Sequence, residues 1–209
     1  MALLIPATPK VSCGRRSSVA GRTGWGKLQN ATAGVFLVAS VLATANPRDL
    51  EPQNPAPGEN EVKAAFLYNF AKFVEWPTSA FPDANSPLII AVVGEDPFGE
   101  VLDRTVAGKL VRGRPLQVRR WKRMEDSQSC NILFVSASER GSLPDILRRI
   151  HNSPVLTVGE WEGFDEQGGM IRFLLRDNRI QFEINNRSAT ESGLKISSRL
   201  LGLAVHVWE

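Results

Sequence analysis

The side chains that could do acid–base or metal chemistry are few in this chain and lie far apart in the sequence. Its two histidines are His151 and His206, and neither stands at metal-ligand spacing from a cysteine or an acidic residue. Charged residues of loops are usually solvated, and no spacing selects a catalytic pair among Asp103, Asp145, Glu160, Glu162 and Asp165. We therefore predict no catalytic residue, no metal site and no enzymatic activity.

A loop bounded by Gly94 and Gly99 is a candidate for phosphate binding. A P-loop needs a second glycine followed by Lys and Ser or Thr, and a dinucleotide loop needs more closely spaced glycines. Neither pattern occurs here. Gly94 and Pro97 are instead typical of a turn that precedes a helix. The sequence therefore predicts no nucleotide and no other cofactor.

The first 45 residues have the pattern of a secretory signal peptide. Residues 1–30 contain five Lys or Arg and no acidic residue. The apolar run from Ala31 to Leu42 follows, and it is shorter than the roughly 20 residues that span a bilayer. The next three residues, ending at Ala45, fit the small-x-small rule of signal peptidase. We predict export with cleavage after Ala45, followed by a proline-rich spacer over residues 46–60.

Removal of the leader changes the charge balance of the protein. The full chain has 25 Lys and Arg against 22 Asp and Glu, and its sequence pI is about 9.1. Five of the basic residues and none of the acidic ones precede Ala45, so the mature chain is slightly acidic. The high pI is therefore a property of the leader, and nucleic acid is not a predicted partner.

Cleavage would also remove Cys13 and leave Cys130 as the single thiol of an exported protein. A lone cysteine cannot form an internal disulfide, even in an oxidising compartment. Cys130 begins the apolar segment 130–135, which favours a buried, inert thiol. A redox sensor and an intermolecular bridge are the alternatives.

Residues 61–209 have the size of one domain with one core. Apolar runs typical of buried strands alternate with segments of helical periodicity. Strands are predicted at 87–93, 113–121, 132–135 and 154–158, and helices at 59–76, 97–106 and 143–150. This alternation predicts an α/β fold, a three-layer sandwich with a largely parallel sheet.

The chain is predicted to end in a β-hairpin and a closing helix. Residues 170–176 and 179–184 read as strands that flank Asp177-Asn178, a pair suited to a tight turn. A serine or threonine after the hairpin is suited to cap a helix that runs to Ala204.

The closing helix carries two apolar stripes at about 100° per residue. Leu194, Leu201 and Val205 form one of them, and Ile196, Leu200 and Leu203 form the other on nearly the opposite side. A helix that lies on one sheet needs only one such stripe. We predict that these three residues form an interface with a partner or with a second copy of the chain. Complete burial in the monomer is the alternative.

A small-ligand cleft is the alternative function. Ligands of parallel α/β sheets usually bind beyond the carboxyl ends of the strands. The candidate residues for such a cleft are Arg114, Trp161 and Glu183.

The order of these motifs resembles that of the YfiR family of periplasmic regulatory proteins, from Val62 to Ala204. Single motifs are weak signals, but their number and order are specific. The matching stretches are Lys63-Ala-Ala-Phe-Leu-Tyr-Asn-Phe with Trp76-Pro77, Val93-Gly-Glu-Asp-Pro-Phe-Gly99, Gly113-Arg-Pro115, Cys130-Asn-Ile-Leu-Phe-Val-Ser136, Val155-Leu-Thr-Val-Gly159, Gly168-Gly-Met-Ile, Phe182-Glu-Ile-Asn185 and Gly193-Leu-Lys-Ile-Ser-Ser-Arg-Leu-Leu.

The resemblance implies a non-enzymatic periplasmic domain, often dimeric, whose founding member represses an inner-membrane diguanylate cyclase. It implies that an outer-membrane lipoprotein, or redox and envelope stress, relieves this repression and so links the envelope to cyclic di-GMP and biofilm formation. The expected partners are therefore the periplasmic domain of an inner-membrane signalling protein, an outer-membrane lipoprotein and a second copy of the chain. Some relatives carry intramolecular disulfides, whereas Cys130 has no partner cysteine. The alternative is an accessory domain for a sensor kinase or an outer-membrane receptor.

Overall fold

The computed structural model describes residues 57–124 and 129–209. The predicted signal peptide and residues 46–56 of the predicted spacer lie outside the described residues. The helices are α1 (Glu59–Phe73), α2 (Glu100–Val106), α3 (Leu143–Arg149), α4 (Asn186–Glu191) and α5 (Ser198–Leu201). The strands are β1 (Val74–Glu75), β2 (Leu88–Val93), β3 (Leu110–Val111), β4 (Arg114–Trp121), β5 (Ile132–Val135), β6 (Leu156–Gly159), β7 (Ile171–Arg176), β8 (Arg179–Asn185), β9 (Lys195–Ile196) and β10 (His206–Trp208).

One large sheet organises the domain, with the strand order β10-β8-β7-β6-β5-β2-β4-β3. β2 pairs in parallel with β4 and β5, and parallel pairing continues through β6 to β7. β8 runs antiparallel to β7, β10 runs parallel to β8, and β3 runs antiparallel to β4. β1 and β9 form a separate two-stranded sheet. The predicted, largely parallel sheet with its C-terminal hairpin is confirmed.

Helices cover both faces of the central strands, which confirms the predicted three-layer sandwich. Ile90 and Val92 of β2 belong to the apolar cluster that includes α1, whereas Ala91 and Val93 belong to the cluster that includes α3. Successive side chains of a strand point to opposite faces, so a strand that is covered on both sides is apolar throughout. The continuous apolar sequences of β2 and β5 follow from this burial.

α1 is joined to the hairpin by a group of four phenylalanines. Phe66 and Phe70 lie one turn apart on α1 and meet Phe173 of β7 and Phe182 of β8. The four ring centroid distances between helix and hairpin are 5.3 to 6.0 Å. Aromatic pairs of this kind contribute about 0.5–1.5 kcal/mol beyond the area that they bury. The first helix and the hairpin near the end of the chain therefore share one core.

The turn of the hairpin has the backbone that its sequence predicts. Asp177 and Asn178 have φ values of 51° and 58°. Both residues tolerate the left-handed region, which a two-residue hairpin turn requires at its two central positions. The register opposite the turn runs from Arg176↔Arg179 to Ile171↔Ile184, so Phe173 and Phe182 lie directly across from each other.

The predicted closing helix is divided. The structure has α4, β9, α5 and β10 where one continuous helix was expected, and the helix that closes the chain is the single turn of α5. Gly193 has a φ of 74°, and a left-handed residue at this place ends the preceding helix. Ser197 then starts α5, because its hydroxyl accepts a hydrogen bond from the Leu200 N–H. Spacing at 100° per residue therefore does not apply across Gly193.

Candidate functional site

β10 is an open edge of the large sheet, and the residues around it expose apolar and aromatic side chains. The Val205 N–H donates to the Phe182 carbonyl at 3.0 Å and fixes the start of the strand on β8. Leu203 is 61% exposed and Val205 is 42% exposed. The His206 and Trp208 rings meet edge to face, with centroids 4.2 Å apart. We call these four residues the β10 edge. An unpaired strand beside exposed apolar side chains is suited to protein contact.

The three residues of the predicted interface do not form one stripe. Leu194 is 2% exposed and belongs to the core cluster of α1, and Leu201 is half-buried against the same cluster. Only Val205 of the three lies at the β10 edge. Leu203, which the helical pattern assigned to the opposite stripe, is the most exposed apolar residue there. The signals that could have revealed this are Gly193 and Ser197, which end one helix and cap the next.

Arg114 does not share a cleft with Trp161 and Glu183. Its guanidinium carbon lies 3.8 Å from the centroid of the Phe81 ring, and its Nη1 donates to the Asp83 and Ser86 carbonyls at 2.9 and 2.7 Å. It therefore fastens the loop before β2 to β4. Four strands of the sheet lie between β4 and β8, which carries Glu183.

Glu183 instead belongs to a buried ion cluster on the sheet face that lies away from α1. Arg172 lies opposite Glu183 across the hairpin, forms an ion pair with it, and places its Nε 3.1 Å from Asp165 Oδ1. Asp165 is 2% exposed. Both its carboxylate oxygens and Gln181 Oε1 lack hydrogen-bond partners of suitable geometry within the described protein. The cluster ties the loop after β6 to the hairpin, and its carboxylates are closed to a substrate.

Trp161 stands in the same loop and packs against the second core. Its ring meets that of Phe164 edge to face, with centroids 4.8 Å apart. The indole is almost fully buried, and its Nε1 has no hydrogen-bond partner within the described residues. Trp161 therefore acts as a core residue, although its loop also supplies Asp165 to the ion cluster.

At the carboxyl ends of the parallel strands, Lys63 of α1 is held by two carboxylates. Its Nζ lies 2.7 Å from Glu160 Oε2 and 2.5 Å from Glu59 Oε1. Burial alone lowers the pKa of Lys63, but hydrogen bonds to Glu160 and then Glu59 outweigh it, so the pKa is raised. Lys63 is therefore a charged, paired group, which does not fit a lysine nucleophile.

The loop from Gly94 to Gly99 is closed by Arg120 of β4. Its guanidinium donates to Asp96 at 2.6 Å, to the Gly99 carbonyl at 2.7 Å and to Asp103 of α2 at 2.5 Å. The hydrogen bond from Arg120 lowers the pKa of Asp103. Arg120 thus joins the loop, α2 and β4, and its charge is balanced within the chain.

Cys130 is buried just before the start of β5. Burial raises the pKa of its thiol to about 12, so the thiol stays protonated at neutral pH. Among the described residues, no group of three or more His, Cys, Asp or Glu is placed to hold a metal ion. No helix among the same residues has the length and hydropathy that a membrane span requires.

The fold defines the class of the protein. It is a three-layer α/β domain in which β10 is an unpaired, partly apolar strand at one edge of the sheet. The family model described as YfiR/HmsC-like matches residues 60–205. The chain therefore belongs to the YfiR/HmsC-like family, as the order of its motifs indicated. At the level of the family, this membership suggests a regulator of cyclic di-GMP signalling. No curated protein sequence matches the chain significantly.

Proposed function

We propose that the mature chain is a periplasmic, non-enzymatic regulator that holds an inner-membrane diguanylate cyclase, or a related membrane signalling protein, in its inactive state. The observation that carries this proposal is the family match over residues 60–205, which spans nearly the whole described domain. In this role the protein acts through contact. Release by an outer-membrane lipoprotein would then connect the state of the envelope to cyclic di-GMP and biofilm formation.

Contact with other chains is supported by the β10 edge. Its strand has a free side, and Leu203 and Val205 expose apolar surface that the described monomer leaves uncovered. A two-fold dimer uses the same patch on both subunits, and an open strand with apolar neighbours suits such a contact. We therefore propose that the regulator is a homodimer that meets through the β10 edge.

The alternative of a small-ligand or accessory domain receives less support. Its three candidate residues belong to three separate environments: Arg114 fastens a loop, Trp161 packs in the core and Glu183 forms a buried ion pair.

Deletion of the gene tests the proposed function. We expect cyclic di-GMP to rise several-fold and biofilm mass to increase, because the cyclase would lose its inhibitor. Expression of the full-length gene should restore the wild-type level, whereas a version without residues 1–45 should not, because it would stay in the cytoplasm. An unchanged cyclic di-GMP level in the deletion strain would rule out the proposed function.

A further inference from the structure

The opposite side of the sheet, around β3 and β4, carries an unusual concentration of positive charge. Residues 104–123 contain eight Lys or Arg and no acidic residue, although the mature chain as a whole is slightly acidic. The eight are Arg104, Lys109, Arg112, Arg114, Arg119, Arg120, Lys122 and Arg123. Charge of one sign on one side of a domain attracts partners of the opposite sign.

Several of these cations are already occupied within the chain. Arg104 pairs with Glu100, Arg112 with Glu75, and Arg120 with Asp96 and Asp103. Lys109 lies 4.2 Å from the centroid of the Tyr68 ring, and Arg114 binds two backbone carbonyls.

Three exposed cations have no such partner in the part of the chain that the structure describes. Arg119, Lys122 and Arg123 are exposed, and none of them forms an ion pair with a carboxylate among the described residues. Arg119 donates one hydrogen bond, to Gln117 Oε1 at 3.3 Å. No carboxylate of the described residues therefore neutralises these three charges.

The backbone beside these cations is also unpaired on one side. β3 pairs with β4 only at Arg114 and Pro115, so no strand of the described chain covers residues 116–121 on the outer side. The Trp121 carbonyl accepts from the Gly94 N–H on the β2 side, at 3.0 Å. Backbone groups of a strand alternate in direction, so those of Val118 and Arg120 point outward. We call residues 116–123 the β4 edge.

We propose that the β4 edge binds an extended acidic segment of a partner protein, which adds to the sheet as a further strand. Backbone hydrogen bonds to Val118 and Arg120 supply the pairing, and Arg119, Lys122 and Arg123 select carboxylates on the added strand. The inference rests on the proposed function in one respect, that the segment belongs to the membrane signalling protein under control.

Charge complementarity identifies an acidic partner and disfavours a second copy at this place. Two-fold pairing of β4 with itself would bring the cations of one chain close to those of the other, and neighbouring like charges across strands are destabilising. The β10 edge exposes Leu203 and Val205 and has no such cluster, so it is the better surface for self-association. The two open sides of the sheet thus suit different occupants.

Defined peptides test the inference on the purified mature chain, residues 46–209. The probe is a fluorescent nine-residue peptide in which Glu-Glu pairs are separated by Val or Thr, so that both faces of an added strand carry carboxylates, and the same peptide with Lys in place of Glu is its control. We expect binding of the acidic peptide alone. The Arg119→Glu/Lys122→Glu variant should bind it about tenfold more weakly, since two attractions become repulsions. Arg176→Glu/Arg179→Glu reverses two exposed cations of the hairpin turn and should bind it as the wild type does.

Backbone pairing is tested separately from charge. Two series of the acidic peptide carry N-methyl groups at alternate residues, one series on each backbone edge. Only one edge of the added strand pairs with β4, so one series should lose binding and the other should keep it. Amide exchange at Val118 and Arg120 should slow when the unmodified peptide binds. Equal binding of all methylated peptides would show that charge attraction alone holds the peptide, and it would overturn the proposal that the peptide adds to the sheet as a strand. Association of the Arg119→Glu/Lys122→Glu variant beyond the oligomeric state of the wild type, without peptide binding by the wild type, would show that the cations only prevent self-pairing.

A cellular experiment separates failure of this inference from failure of the proposed function. If deletion of the gene raises cyclic di-GMP, expression of Arg119→Glu/Lys122→Glu should fail to restore the wild-type level, whereas Arg176→Glu/Arg179→Glu should restore it. Full restoration by the first variant would overturn the β4 edge as the regulatory surface and leave the proposed function intact. No effect of the deletion itself would overturn the assignment of the acidic segment to a membrane signalling protein.

Discussion

At the scale of single residues, burial decides the chemistry of Cys130, the one thiol among the described residues. Cys130 is covered, and burial raises its pKa to about 12. The reactive thiolate is therefore scarce at pH 8. We expect iodoacetamide to label Cys130 slowly in the folded protein and completely in 6 M guanidinium chloride. Cys130→Ala should regulate as the wild type does.

Rapid labelling of the native protein at pH 8, or loss of regulation in Cys130→Ala, would contradict this prediction. Either result would support a redox role for Cys130. The sequence predicted the burial because the thiol begins an apolar strand.

Arg120 is the residue at which one substitution should disconnect several elements. Arg120→Gln removes bonds to Asp96, Asp103 and the Gly99 carbonyl. The side chain is 37% exposed, so solvent screening limits the loss to about 1–2 kcal/mol in free energy of unfolding. Arg104→Gln is the matched control, since its exposed pair with Glu100 should contribute under about 0.5 kcal/mol. Urea unfolding at pH 7 measures both, and equal effects would contradict the prediction.

The contact between Arg120 and Asp103 predicts that the stability of the fold depends on pH. The pKa of Asp103 is lower in the folded than in the unfolded chain, because Arg120 donates a hydrogen bond to the carboxylate. This stabilisation is present above the unfolded pKa of about 4 and is lost as the pH falls through the folded value. The stability difference between wild type and Arg120→Gln should therefore be constant near neutral pH and shrink below about pH 4. A difference that grows in acid would contradict this assignment.

The sequence did not predict which groups the long side chains contact. Arg114 was predicted to line a cleft, yet Phe81 and the carbonyls of Asp83 and Ser86 occupy it. These partners lie about thirty positions earlier in the chain. Every residue has a backbone carbonyl, so the residue types do not identify which carbonyls a guanidinium will bind.

At the scale of elements, the corrected end of the chain changes the expected effect of substitutions there. Leu194→Asp buries an unpaired carboxylate in the core cluster of α1 and should unfold the domain. Leu203→Asp places the same charge at the exposed β10 edge and should leave the domain folded but unable to dimerise. Calorimetry and analytical ultracentrifugation measure the two effects.

The control for this pair is Leu110→Asp, which changes an equally exposed leucine on β3, at the other side of the sheet. It should keep both the melting temperature and the dimer. A Leu203→Asp protein with the mass of the wild-type dimer would rule out the β10 edge as the dimer interface.

The strands were predictable as elements, whereas the last helix was not. β2, β5 and β6 are buried on both faces, so their apolar runs identify them without knowledge of their neighbours. The segment after Asn185 is apolar because several short elements each bury part of it. A stripe at helical spacing arises there by coincidence, and only Gly193 and Ser197 mark the break.

At the scale of the whole molecule, export remains the prediction with the widest consequence. The basic leader, its apolar run and the small residues that end at Ala45 predict that a signal peptidase removes residues 1–45. N-terminal sequencing of protein from the periplasmic fraction should therefore begin at Asn46. Replacement of Ala43 and Ala45 by arginine should cause the uncleaved precursor to accumulate. Recovery of the full-length wild-type chain from the cytoplasm would contradict export and the regulatory role with it.

The layers of the whole fold followed from the alternation of strands and helices, but the positions of its two open edges did not. Both edges depend on which strand comes last in the sheet, and strand order is set by pairing between distant segments. The cations of residues 104–123 were visible in the sequence. Their meaning depended on the finding that β3 covers only two residues of β4.

The pairing of β1 with β9 sets the order in which this protein can fold. Val74 pairs with Ile196, and the Phe73 carbonyl accepts a hydrogen bond from the Ser197 N–H at 3.0 Å. These partners are separated by more than half of the chain, so closing the contact must wait until both ends are present. A chain that emerges N-terminus first keeps the apolar face of α1 without Phe173 and Phe182 until β7 and β8 appear, and the contact of β1 with β9 forms later still. If the chain is exported as its leader predicts, this delay would keep it unfolded during synthesis, which is the condition in which a translocation channel can thread it.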